Sequence, residues 1–156
     1  MPLALTPSQL AAVNRLRAAI MAGQRPLIDH SLLAESTAAV AAGGAAGSTL
    51  QVRPYENGVI VELDGVAFDD GGNTEVDTMA ERMHEKYLGV MLKVAGRPKT
   101  NDTYEPMYTL TPKAVCWVVA QNDLIEVTFK HLAASGIASL QGKLKFGFVP
   151  FSELGI

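Results

Sequence analysis

In the last third of the chain, apolar residues take alternate positions twice over, first Ile125, Val127 and Phe129, then Leu144, Phe146 and Phe148. Strand side chains point to opposite faces in turn, so a period of two marks strands with one buried face and one wet face. Just before them, Ala114 to Ala120 reads AVCWVVA and is apolar on both faces, as in a strand covered from two sides. This run is expected at the centre of a sheet. Gln121-Asn122-Asp123 turns the chain out of it.

The first 43 residues have a different character. Thr6 is an N-cap, Pro7 takes the first helical position, and Gln9 falls three residues after the cap, which completes a capping box. Leu10, Val13, Leu16, Arg17 and Ile20 keep helical spacing, and Gly23 is placed to stop the helix. A second helix is expected from Asp29 or Ser31 through Leu32 and Leu33 to Val40, on the propensity of its many alanines. Gly43 to Ser48 then reads as a flexible connection. A segment of about 40 residues with so few large apolar groups cannot build a core alone. The chain is therefore expected to be one domain over 1–156, with a helical part at 1–43 and a strand-rich core at 49–156.

In the middle, Thr49 to Tyr55 is extended, and Asn57-Gly58 is a strong two-residue hairpin signal. Val59 to Leu63, a second such turn at Asp64-Gly65, and Val66 to Phe68 complete an expected three-stranded meander. Pro54, lacking an amide hydrogen, puts the first of these strands at an edge or ends its pairing. After a loop at Asp69 to Asn73, Asn73 or Thr74 caps a helix carrying Val76, Met79, Met83 and Tyr87 on one face, with Gly89 at its end. Val90 to Val94 reads as a strand, Gly96 to Asp102 as a polar loop, and Ala133 to Leu140 as a short helix. The fold class is α+β, with a mixed or mainly antiparallel sheet of about six to seven strands, two to three helices and an Ala-rich helical N-terminus.

Charge narrows the function classes. Thirteen Lys and Arg stand against 16 Asp and Glu, a net charge of −3, which gives no electrostatic reason for a nucleic-acid partner. The one cysteine, Cys116, excludes an internal disulfide and a multi-cysteine metal site. The first residues lack the basic and apolar segments of a secretion leader, and no run approaches the roughly 18 apolar residues of a membrane span. The expected address is the cytoplasm or a particle assembled there.

Each constellation that could carry chemistry has a plainer explanation. Asp69, Asp70, Asn73, Glu75 and Asp77 cluster oxygens around Gly71 and Gly72, but the spacing is not that of a calcium loop. A turn followed by a helix cap, with Glu75 and Asp77 in the first turn, accounts for them. Cys116 lies among Val115, Trp117, Val118 and Val119, the setting of an inert thiol, and Trp117 on the opposite face is a core anchor. His30, His84 and His131 lack any zinc-ligand spacing and read as surface residues. The Gly43 to Ser48 stretch lacks the Gly-Lys-Ser/Thr ending of a phosphate loop. Lys93, Arg97, Lys99 and Lys113, with Tyr104 and Tyr108 nearby, suggest a modest basic surface instead of a nucleobase platform.

No catalytic residue, cofactor or metal is thus expected, and the leading expectation is a non-enzymatic structural subunit. Such a chain would assemble with itself and with other structural proteins, as in a bacteriophage tail or neck ring or a head decoration protein, using uncovered strand edges. The alternative is a small immunity- or antitoxin-like module that neutralises one protein partner. An enzyme would have to draw on Asp69, Asp70, His84 or His131.

Overall fold

The computed structural model describes residues 3–24, 30–36, 38–69, 83–100, 104–135 and 139–154. Within them the chain runs α1 (Pro7–Met21), β1 (His30–Glu35), β2 (Leu50–Val52), β3 (Gly58–Asp69), α2 (Met83–Tyr87) and β4 (Leu88–Val94). It continues through β5 (Arg97–Pro98), β6 (Glu105–Pro106), α3 (Met107–Leu110), β7 (Lys113–Val119), β8 (Ile125–His131) and β9 (Leu140–Pro150), and a 3-10 turn at Phe151–Leu154 follows. This is the expected α+β class, with nine strands among the described residues arranged in two antiparallel sheets instead of one.

The first sheet has the order β1-β9-β3-β7, and the second has the order β2-β8-β4-β5, with β6 also on β4. Alternation explains how they face each other. Ile125, Val127 and Phe129 of β8 and Leu140, Leu144, Phe146 and Phe148 of β9 are buried, as are Leu88, Val90, Leu92 and Val94 of β4. Together with Ile60, Leu63 and Ala67 of β3 they form one core between the sheets. Gly142 lets the sheets approach, since a Cβ there would meet Leu88 Cδ2 at 2.5 Å and the Phe129 ring at 3.0 Å.

A third layer lies outside the first sheet. The α1 stripe of Val13, Leu16 and Ile20 packs with Val59, Val61, Val118, Val149 and Phe151. Thr6 and Gln9 form the expected capping box, with Thr6 Oγ1 accepting from the Gln9 amide at 3.2 Å and Gln9 Oε1 from the Thr6 amide at 3.0 Å. Leu10 leaves the stripe and is 48% exposed. A bulge in β3 sets where this cover ends. Ile60 pairs with Phe148 and Glu62 with Gly147, so β3 advances two residues for one on β9. Ile60 and Leu63 both reach the main core, which leaves Val61 and Glu62 on the outer face together.

Several local expectations are corrected by long-range pairing. The helix expected from Asp29 or Ser31 to Val40 is absent where that stretch is described. His30–Glu35 is a strand, paired along its length with β9 and burying Leu32 and Ala34 while Ser31, Leu33 and Glu35 face outward. Six residues of pairing outweigh alanine's preference for helix, which is worth only tenths of a kcal/mol, about 0.7 at most, per residue. Asn57-Gly58 closes no hairpin, because β2 pairs with β8 while β3 pairs with β7 and β9, so the chain changes sheets there. Asn57 Oδ1 accepts from the Gln121 amide at 2.7 Å and its carbonyl from the Phe151 amide at 2.9 Å. Gly58 is needed because a Cβ would lie 2.5 Å from Phe148 Cζ.

Asp64-Gly65 is likewise no turn, and β3 continues through it for twelve residues. The Ala114 to Ala120 run is β7, an edge strand and not a central one. Its two apolar faces were read correctly, since Val115 and Val119 meet the main core and Cys116 and Val118 meet α1. Cover on both faces simply does not fix position within a sheet. Of the helix expected from Asn73 or Thr74, α2 is described and residues 70–82 lie outside the described part, the Asp69 to Asp77 cluster with them except for the Asp69 backbone at the end of β3. α2 ends at Tyr87 and Gly89 lies inside β4, where a Cβ would meet Leu132 and Tyr104 within 2.9 Å, so close packing calls for glycine there. No helix is found in the described part of Ala133 to Leu140, and Leu140 already opens β9.

Candidate functional site

The two sheets leave a seam open on the β7 side. Here β7 has β3 as its one hydrogen-bonded strand neighbour among the described residues. Opposite it, β4 and β5 are joined by Ala95-Gly96, a turn in which both residues have positive φ, 51° and 78°. A surface groove of about 360 Å³ runs between them, walled by Cys116, Trp117 and Val118 on one side and by Val94, Ala95, Arg97 and Lys99 on the other. Leu3 and Leu5, ahead of α1, and Arg17, on α1 itself, also line it.

The groove is cationic. Among the described residues, Arg17, Arg97 and Lys99 line it against a single carboxylate, Asp123. That carboxylate is held in the β7–β8 turn, where Asp123 Oδ2 accepts from the Ala120 amide at 2.8 Å. Lys99 Nζ lies 5.0 Å from the Trp117 ring centroid, a cation–π contact. Burial pushes the Cys116 thiol above its ordinary value, and the Arg17 guanidinium, both by its charge and by a hydrogen bond, pulls the other way. Cys116 is half-buried, and its raised thiol pKa favours the protonated form. The groove can therefore hold an anionic group against two guanidinium ions, an ammonium ion and an indole face.

Of the expected basic surface, Arg97 and Lys99 reach this groove and Lys93 and Lys113 do not line it. Tyr104 and Tyr108 lie elsewhere, Tyr104 beneath Lys130 at 5.7 Å and Tyr108 exposed on α3. The aromatic partner of the lysine is Trp117, which sequence reasoning had placed wholly in the core. Arg17 was missed as a site residue for a similar reason, since its helical spacing pointed only to packing. No local signal links residues 17, 97 and 117, and only the tertiary fold brings them together.

The histidines do not converge on either of the cavities described. His30 Nε2 lies 3.0 Å from Glu153 Oε1, and its ring is 6.0 Å from that of Tyr55. Burial, and then the Glu56 and Glu153 carboxylates, raise the Tyr55 hydroxyl above its usual range. His84 sits on α2. His131 is not a surface residue. It continues the inward face of β8, is 2% exposed, stacks on Tyr87 at 6.4 Å and accepts at Nδ1 from the Ala133 amide at 3.1 Å. A smaller cavity on the outer face of the first sheet is lined by Glu62, Asp64, Lys145 and Gly147. Among the described residues, no three His, Cys, Asp or Glu side chains are grouped to hold a metal ion, and no helix is long and apolar enough to cross a membrane.

No protein-family model matches the chain, no curated protein matches it, and no solved structure matches it.

Proposed function

We propose that the chain is a non-enzymatic structural subunit that assembles with copies of itself and with other structural proteins, as the ring and decoration components of a bacteriophage particle do. The observation that supports this reading is the unclosed first sheet, whose β7 edge has no second strand beside it among the described residues. A free strand edge offers a row of backbone donors and acceptors, and subunits that assemble satisfy such rows between neighbours. Leu33 on the outer face of β1 and Met21 at the end of α1 are 51% and 82% exposed, and burial against neighbours would stabilise both placements. Light scattering coupled to size exclusion, over a range of protein concentrations, tests the reading. A trimer or a ring-sized species supports it, and a monomer throughout the range overturns it. The second reading, an immunity- or antitoxin-like module, draws on the net charge of −3, which suits a basic partner. A monomer that forms a stoichiometric complex with a co-encoded protein is its mark.

A further inference from the structure

We propose that the groove beside β7 receives an extended acidic segment of a partner protein, which adds to the first sheet as a fifth strand. The proposal rests on the assembly reading and supplies the chemistry of one partner segment. Its geometric basis is that Cys116, Trp117 and Val118 all wall the same space. Consecutive strand residues point to opposite faces, so a space that touches three in a row lies along the strand's edge and not over one face. That edge has no strand paired to it among the described residues. A small organic anion would meet the cations but would leave the edge unused, whereas an extended peptide uses both.

The charges then dictate the sequence that fits. Arg17 comes from α1, on the outer face of the sheet, whereas Arg97 comes from β5 of the second sheet and Lys99 from the segment just after it, on the inner side. Side chains of an added strand alternate between those faces, so two adjacent acidic residues would meet the two sets of cations, one each. Among the described residues Asp123 is the one carboxylate lining the groove, and it is engaged by its own turn, which leaves their excess positive charge for a ligand. Main-chain pairing supplies affinity in such an arrangement, and the charges set register and choice of partner.

The test uses a blocked synthetic peptide of about seven residues, Val- and Thr-rich with adjacent Glu and Asp at its centre. Its binding is read from the emission of Trp117, the only tryptophan in the chain, and from amide exchange across 113–119. The expected result is a saturable emission change with slowed exchange in β7. Arg97→Ala combined with Lys99→Ala is expected to weaken binding by about tenfold or more while circular dichroism stays unchanged. A Gln/Asn version of the peptide is expected to bind comparably weakly, and a version N-methylated on alternate amides, with its charges intact, is expected not to bind. Binding that tolerates N-methylation, or that citrate matches, makes the groove a small-anion site and overturns the proposal. So does β7 protection that appears by self-association alone and is not displaced by peptide. A chain that stays monomeric but binds the peptide loses the assembly reading and keeps this one. A chain that assembles but shows no emission change with the peptide loses this one alone.

Discussion

Ala95 is held at a φ of 51°, in the left-handed region that an L-alanine occupies at a cost of about 1 kcal/mol. Its neighbour Gly96, at 78°, occupies that region without the cost, and a Cβ there would meet no atom within 4 Å. Asparagine tolerates the first position of such a turn better than alanine does. Ala95→Asn is therefore expected to stabilise the fold by about 0.5–1 kcal/mol in urea titrations, and Gly96→Ala to destabilise it by a similar amount. Cys116 gives a titration test. Its thiol pKa is raised in the folded chain, so the stability it contributes is present below the unfolded value and is lost as pH rises through the folded one. Alkylation rates in the folded protein should reach half-maximum at a higher pH than in the unfolded chain. Arg17→Ala should move that midpoint higher still, because it removes the opposing pull. A folded midpoint at or below the unfolded one would contradict this account.

At the scale of elements, what the sequence disclosed depended on how far away the deciding partner lay. The α1 cap was legible because Thr6, Pro7 and Gln9 complete it within four residues. The alternation of β8 and β9 was legible because each strand repeats its own pattern. The identity of β1 was not, since Leu32 and Ala34 become an inward face only when β9 pairs beside them. Asn57-Gly58 misled because its turn chemistry also serves a crossing between sheets. The groove was half legible. Arg97 and Lys99 stood out as a basic loop, whereas Arg17 and Trp117 join them through packing that no spacing announces. Gly142 tests the closeness of the sheets. Gly142→Ala places a methyl group against Leu88 and Phe129 and is expected to cost about 1–3 kcal/mol, measurable as a lower denaturation midpoint. The same change at Gly96 meets no neighbour, so the pair separates steric cost from backbone cost.

For the whole molecule, the layers run α1, first sheet, second sheet, with one core between the sheets and a smaller one under the helix. If copies of the chain assemble, association stabilises only the folded state. The thermal midpoint should then rise with protein concentration, and a midpoint independent of concentration would remove that support. The pairing pattern also bears on how such a chain is born. Among the described residues β1 has β9 as its one hydrogen-bonded strand neighbour, from His30 opposite Phe148 to Glu35 opposite Lys143. A ribosome adding about 5–20 residues each second leaves β1 waiting on the order of ten seconds for the strand that completes it. Through that interval Leu32 and Ala34 have no sheet to enter, and the first sheet can begin, as β3 with β7, only after residue 119 has been added. The nascent chain is thus most open to mispairing or to chaperone capture just before β9 emerges.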